Sequence, residues 1–358
     1  MTDVYEELAK KLDEMNGFPS TERGVELKIL KMIFTPDEAE MALKFRPLPE
    51  TAEGIAERLG KPLDQMQAIL DNMVERGQVA YVKEAGEGLY MLFPFVIGMA
   101  EASQYNRMTK EFAILFEEYA PDLIRSYGGS GPAEARVVPV STEIDQQLHV
   151  HRYEDMRRMM DEAKSFELLE CWCRQEQEAL GNICKYPKEV CLQFSNEEGQ
   201  FDKYPLGKKI TKEEALQVLA QSEEAGLVHC TYNVEQGQMF VCNCCPCCCG
   251  LLRGVKEFNA PHVLAKSNFM ASIDQDSCSA CGVCTDDRCP MGAIVEEADE
   301  YRVLKERCIG CGVCASTCPT EAIKLVPKPE SEQDKPPVDL LNLYLDRAAS
   351  RGVEIKLD

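Results

Sequence analysis

All nineteen cysteines of this 358-residue chain lie between Cys171 and Cys318. Disulfides that staple a secreted chain have no reason to avoid half of its length. The N-terminus, Met1 to Lys11, is polar and acidic, unlike a secretory or transit signal. A cytoplasmic location is therefore expected, where thiols stay reduced and dense cysteine runs bind metal. The chain is otherwise ordinary, with 45 % hydrophobic and 28 % charged residues. No apolar run reaches the roughly 18–20 residues that cross a bilayer. The nearest, Leu89 to Ala100, is broken by Pro94 and reads as a buried strand and turn.

Two of the cysteine runs share a spacing. Cys278-x2-Cys281-x2-Cys284-x4-Cys289-Pro290 is followed by Cys308-x2-Cys311-x2-Cys314-x3-Cys318-Pro319. Met291 to Ile294 and Thr320 to Ile323 occupy matching positions after each proline, as a duplicated half should. Over residues 270–326 this pair is similar to the bacterial 2[4Fe–4S] ferredoxins. In that family three close cysteines wrap three corners of a cubane, and the fourth, ahead of proline, crosses to the other cluster. The resemblance implies Cys278, Cys281, Cys284 and Cys318 around one [4Fe–4S] cluster and Cys308, Cys311, Cys314 and Cys289 around a second. Gly282, Gly310 and Gly312 let the backbone turn tightly and present N–H groups to cluster sulfur. The x4 spacing departs from the consensus x3 and lengthens a loop beside Cys289. Zinc commonly uses paired CxxC or His ligands and has no need of this interleaving.

Eleven cysteines remain. Cys171, Cys173, Cys184 and Cys191 fall within twenty-one residues, beside Arg174. A third [4Fe–4S] cluster is the expected occupant, with zinc or a redox or structural thiol set the lesser alternatives. Cys242, Cys244, Cys245, Cys247, Cys248 and Cys249 fill six of eight consecutive positions. Adjacent side chains point apart, so all six cannot face one small cubane from a single strand. A subset with Cys230 could ligate a further cluster, or join the Cys171–Cys191 set in a larger one. Thiol–disulfide or sulfur chemistry and a structural zinc knot also stay open. One or two further iron–sulfur clusters are expected in all. His229 and His262 read as core or surface residues, and Trp172 as a shield against water.

The fold expected is α+β and multidomain. A helical, winged-helix-like domain spans 1–127, an α+β Cys-rich metal-binding domain 133–265, and the ferredoxin domain 266–326. Residues 327–358 form a linker and a C-terminal docking helix. In the first domain, Thr35-Pro36-Asp37-Glu38 starts a helix. Helices over Thr51–Gly60 and Leu63–Gly77 precede strands Gln78–Val82 and Gly88–Phe93. Helix, helix and hairpin in this order resemble a winged helix-turn-helix domain, whose familiar use is DNA binding. The second of those helices offers Asp64, Asp71 and Glu75 against Arg76 alone, and the chain has 61 acidic and 39 basic residues. Phosphate binding needs Lys and Arg, so nucleic acid is disfavoured. Further on, the expectations are a helix Glu101–Tyr127, a linker Tyr127–Pro132, a strand Arg136–Ile144 and a helix Tyr153–Phe166. A Thr211-capped helix Lys212–Ala225 and a hairpin Leu227–Val234/Gln238–Val241 follow. The cysteine-rich segments are assigned to irregular loops.

An acidic surface favours redox protein partners with basic docking patches. No dinucleotide fingerprint, phosphate loop or Ser/His/Asp pattern occurs. The reading preferred is an iron–sulfur electron-transfer protein, a ferredoxin-like subunit or carrier for an anaerobic redox enzyme. The alternatives are a redox-responsive transcription regulator and a thiol/disulfide or sulfur reductase acting at Cys242–Cys249.

Overall fold

The computed structural model of the chain describes residues 3–129, 131–140, 144–145, 150–285, 288–298 and 300–357. Its N-terminal part holds helices α1 (Val4–Asn16), α2 (Val25–Ile33) and α3 (Pro36–Ala42), then strand β1 (Glu50–Thr51), α4 (Ala52–Leu59) and α5 (Leu63–Glu75). The hairpin β2 (Val79–Glu84) and β3 (Glu87–Leu92) follows, with β3 between β1 and β2 in one sheet. Local chemistry sets these limits. The Glu38 N–H donates to Thr35 Oγ1 at 3.4 Å and the Thr35 N–H to Glu38 Oε2 at 2.8 Å, closing a capping box. Thr51 caps α4 and the left-handed Gly60 ends it. Met66, Leu70 and Met73, one face of α5, are fully buried. The hairpin turns on Ala85 and Gly86, both with positive φ, as a two-residue turn of the favoured hand requires.

The helix expected over Glu101–Tyr127 is two helices, α6 (Ala100–Gln104) and α7 (Lys110–Gly129). Asn106 takes a left-handed φ of 55°, and the Thr109 hydroxyl re-caps the chain by accepting from the Phe112 N–H at 3.1 Å. The expected linker at Tyr127–Pro132 begins inside α7, and its Ser130 lies outside the described residues.

The middle part is built on β4 (Ala135–Val138), α8 (Met156–Glu162), β5 (Ser165–Glu170), α9 (Trp172–Ala179) and β6 (Glu189–Ser195). It continues with β7 (Lys208–Ile210), α10 (Lys212–Ala225), β8 (Val228–Tyr232), β9 (Phe240–Cys244), α11 (Gly250–Lys256) and β10 (Leu264–Ala265). These strands form one sheet in the order β10-β4-β8-β9-β6-β5-β7, antiparallel except for β10 with β4. Val138, Leu192 and Val241 on one face pack with Met156, Met160 and Leu219 of α8 and α10. The opposite face joins the core shared with α7, α9 and α11 through Leu123, Trp172 and Leu252. Two expectations are corrected here. The helix ending at Phe166 stops at Glu162, and Phe166 lies in β5. Cysteines assigned to loops stand on strands: Cys191 on β6, Cys242 and Cys244 on β9. Strand β4 ends at Val138, and Ser141 to Glu143 of the longer expected strand lie outside the described residues.

The C-terminal part pairs β11 (Phe269–Ile273) with β14 (Ile323–Pro327) and β12 (Ile294–Glu297) with β13 (Glu300–Val303), both antiparallel. Helix α12 (Leu340–Ser350) then returns to the body of the protein. Leu343 and Tyr344 pack on Tyr232 and Phe240 of the sheet and on Val234 just beyond β8. The buried Arg347 donates to Asn16 Oδ1 at 2.7 Å and to the Pro132 carbonyl at 2.8 Å, and lies 3.4 Å from Glu134 Oε2.

Candidate metal centres

The two ferredoxin-like runs fold into two nests. Cys278, Cys281, Cys284 and Cys318 line one cavity with Ile273, Tyr301 and Ile323. Cys289, Cys308, Cys311 and Cys314 line another with Ala271, Ile294 and Leu325. Each quartet thus draws its fourth cysteine from the other run, the crossing that a two-cluster ferredoxin needs. The backbones match as well. Gly282 and Gly312 have φ of 74° and 81°, and Ala280 and Gly310 have φ of 52° and 70° at corresponding places. Ala280 escapes sequence reasoning because alanine gives no sign of a left-handed turn. The Ala293 N–H donates to Cys289 Sγ at 3.2 Å. At the matching Cys318, burial raises the thiol pKa, but the Thr320 hydroxyl and the N–H groups of Thr320, Ala322 and Ile323 outweigh it, and the thiol lies below its ordinary value. Such N–H···S bonds stabilise cluster thiolates and tune their potentials. The residues present therefore fit two [4Fe–4S] clusters.

The nests differ in exposure. Cys281 is exposed and its three companions half-buried, whereas Cys308, Cys311 and Cys314 are buried. The inner loop docks on the middle part: the Val140 N–H donates to the Cys311 carbonyl at 3.0 Å, and the Ser267 N–H to the Ile309 carbonyl at 3.1 Å. Arg288, in the lengthened loop, donates to the carbonyls of Glu223 and Glu224 at 2.9 and 2.8 Å, at the end of α10. Asp286 and Asp287 of that loop lie outside the described residues. A Cβ on Gly310 would stand 2.1 Å from the Phe269 carbonyl oxygen and 2.1 Å from Ser267 Oγ. Gly310→Ala is expected to displace the inner loop and lower the melting temperature by at least several degrees, with iron lost from this nest first. Thermal melts with iron assay check it; an unchanged melt and iron content would contradict the docking described.

The set expected from spacing, Cys171, Cys173, Cys184 and Cys191, is split. Cys184 leaves it for Cys245, Cys247 and Cys248, and these four Sγ atoms all lie within 4.8 Å of one another. Seven cysteines remain, Cys171, Cys173, Cys191, Cys230, Cys242, Cys244 and Cys249. The register pairs Cys230 with Cys242, Val228 with Cys244 and Leu192 with Val241, so Cys191, Cys230, Cys242 and Cys244 share one sheet face. Cys171 caps α9, Cys173 sits in its first turn, and Cys249 precedes α11. Cys173 neighbours Cys171 and Cys249, Cys244 neighbours Cys230 and Cys242, and Cys242 neighbours Cys191. The neighbouring Cys230, together with burial, pushes the Cys244 thiol up to about 12. A bound metal would favour ionisation of so dense a group by sharing its charge. Spacing alone cannot find this grouping, because it depends on how three strands and two helix starts converge.

Most of these thiols border a cavity of about 940 Å³ between the sheet and the N-terminal hairpin. Its wall includes Tyr81, Phe116, Trp172 and Phe240 along with Glu101 and Glu176. Trp172 meets Phe116 edge-on at 4.7 Å, consistent with a shielding role. His229 is a satisfied core residue, bonded to Asn243 Oδ1 at 2.5 Å and Glu223 Oε1 at 3.2 Å, and His262 is exposed.

Glu176 carries a pH dependence. Its Oε2 accepts from Gln177 Nε2 at 2.8 Å and its Oε1 has no partner, while neighbouring Glu117 is paired with Arg253. Burial first, then Glu117, pushes it up to about 7, and burial does the same to Glu101. A carboxyl raised on folding favours the folded state most below its unfolded value of about 4.3, and that contribution is lost as pH rises through the folded value. Stability is therefore expected to fall from pH 5 to pH 8, and Glu176→Gln to flatten the slope. Urea midpoints across this range test it; identical slopes in both proteins would refute it.

Among known proteins, the 4Fe–4S binding domain family matches residues 301–324. The electron transport protein HydN of Escherichia coli is 31 % identical over 70 residues, 18 % of this chain and 40 % of HydN. This chain thus spans two fifths of that relative's length. The pyruvate synthase subunit PorD of Methanothermobacter marburgensis is 39 % identical over 57 residues, 16 % of this chain and 65 % of PorD. An uncharacterized ferredoxin of Methanocaldococcus jannaschii is 37 % identical over 67 residues, 17 % of this chain but 86 % of its own length. No solved structure matches the chain with significance. Through its C-terminal cysteine-rich segment, the chain belongs to the 4Fe–4S ferredoxins.

Proposed function

We propose that this protein carries electrons between redox partners through two [4Fe–4S] clusters, one held by Cys278, Cys281, Cys284 and Cys318 and one by Cys289, Cys308, Cys311 and Cys314. The observation that carries this reading is the unequal exposure of the two quartets. Cys281 meets solvent, while Cys308, Cys311 and Cys314 are buried and their loop accepts the Val140 and Ser267 N–H groups at the Cys311 and Ile309 carbonyls. When bound, the clusters take up and release single electrons. The surrounding residues keep water from the inner quartet and supply N–H groups to its sulfur.

The formal charge of −22 supports a partner that docks with basic residues. Electron transfer from the dithionite-reduced protein to a basic haem protein is expected to slow about tenfold or more between 50 and 500 mM salt. A rate independent of salt would remove the electrostatic docking. The helix–helix–hairpin arrangement supports a winged-helix-like N-terminal domain with a docking or structural role. Asp71 of its second helix bonds Tyr204 and Lys203, and Gln200 holds the hairpin through the Lys83 N–H at 2.7 Å and the Tyr81 carbonyl at 2.8 Å. Those groups are thereby engaged within the chain.

A second reading is favoured by the cavity, whose wall carries Cys171, Cys173, Cys191, Cys242, Cys244, Cys245, Cys248 and Cys249. A thiolate there would attack a substrate disulfide and release one thiol. A neighbouring cysteine would then resolve the mixed disulfide and release the second, leaving a protein disulfide. Two electrons and two protons, the electrons from reduced viologen, restore the dithiol. Steady disulfide turnover that Cys249→Ser abolishes would support this reading, and absence of turnover in the native protein would sink it.

A further inference from the structure

We propose that Cys184, Cys245, Cys247 and Cys248 hold a single zinc ion, separate from every iron–sulfur cluster of the chain. Four thiolates around one ion at about 2.3 Å must stand roughly 3.8 Å apart along the edges of a tetrahedron. Cys184 Sγ is 3.8 Å from Cys245 Sγ and 3.7 Å from Cys247 Sγ, and Cys247 and Cys248 are 3.7 Å apart. Among the described residues no other group of three or more cysteine, histidine or carboxylate ligands is drawn within 4.8 Å. The ferredoxin quartets are therefore more open. Thiolates that cap the outer corners of four irons stand further apart than thiolates sharing one ion.

A second observation comes from Arg174, which is fully buried. Its Nη2 donates to the Asn243 carbonyl at 3.1 Å, while Nε and Nη1 have no hydrogen-bond partner. The groups around it include the sulfurs of Cys184 and Cys245. Four thiolates on a divalent ion leave a net charge of about −2, a counter-charge for the side of this guanidinium that carries Nε and Nη1.

The architecture argues for zinc. All four positions of the tetrahedron are filled by protein sulfur, as in structural zinc sites, and no position is open for substrate. The site fastens the irregular segment between α9 and β6 to the turn that follows β9. That segment carries Ile183, 85 % exposed, and has little core of its own to hold it in place.

The test is metal analysis of the full-length protein purified without oxygen, joined to zinc K-edge absorption spectroscopy. The expected result is about one zinc per chain, bound by four sulfurs at about 2.3 Å with no second metal nearby. Cys247→Ala is expected to lower zinc at least tenfold and leave iron unchanged. The absorption measurement needs no variant, so a Cys247→Ala protein that fails to fold leaves the proposal testable. Zinc below a tenth of an equivalent would overturn it, as would a Cys247→Ala protein that loses iron. A mononuclear ferric signal that vanishes in Cys247→Ala would also overturn the zinc assignment. None of these outcomes depends on the two ferredoxin clusters being present.

Discussion

Cys311→Ser is expected to strip about four irons from the chain and to cost on the order of 5 kcal/mol of stability or more. Cys311 is only 8 % exposed, and its carbonyl accepts the Val140 N–H at 3.0 Å. Burial pushes its thiol up to about 12, so it bears charge only when metal takes the place of the proton. Removing this ligand leaves Cys289, Cys308 and Cys314 around an incomplete nest. Cys281→Ser serves as the comparison, because Cys281 is exposed. That variant is expected to lose a similar amount of iron with a much smaller fall in melting temperature. Iron assays and melts on both proteins distinguish the nests; equal thermal losses would contradict the inner and outer assignment.

Arg347→Met is expected to destabilise the protein by about 3–5 kcal/mol. Arg347 and Glu134 are both almost wholly inaccessible, and Arg347 also donates to Asn16, to Tyr127 and to Pro132. Burial raises the Glu134 pKa, while Arg347 and Asn16 oppose that rise. Without the guanidinium the carboxylate would be buried without its counter-charge, and α12 would lose polar ties to α1 and α7. Adding Glu134→Gln to the variant removes the stranded charge and is expected to restore part of the loss. Urea denaturation of the single and double variants measures it. A loss below about 1 kcal/mol would show that the C-terminal helix contributes little to the fold.

The elements legible in the sequence were those fixed by local chemistry. Thr35 with Glu38 and Thr211 with Glu214 both close capping boxes where expected, and Gly60 and Gly226 end their helices. The ferredoxin quartets were legible for the same reason, since one short loop with a fixed spacing positions most of each set. The remaining cysteines were not, because their grouping is tertiary. Cys184 is near Cys173 and Cys191 in sequence, yet the turn after β9 brings Cys245, Cys247 and Cys248 to it instead. Cys230 has no cysteine neighbour in sequence, and only the β8–β9 register sets it opposite Cys242. Helix α7 running on to Gly129 was missed because a glycine-rich stretch reads as a linker, whereas Arg347 fixes the carbonyls around it.

The C-terminal quartets are proposed to hold two [4Fe–4S] clusters. Iron and acid-labile sulfide on protein purified without oxygen, with electron paramagnetic resonance after dithionite reduction, test it most directly. The account predicts at least about eight irons and eight sulfides per chain, and a reduced spectrum broadened by coupling between two nearby clusters. A folded chain without acid-labile sulfide would contradict it.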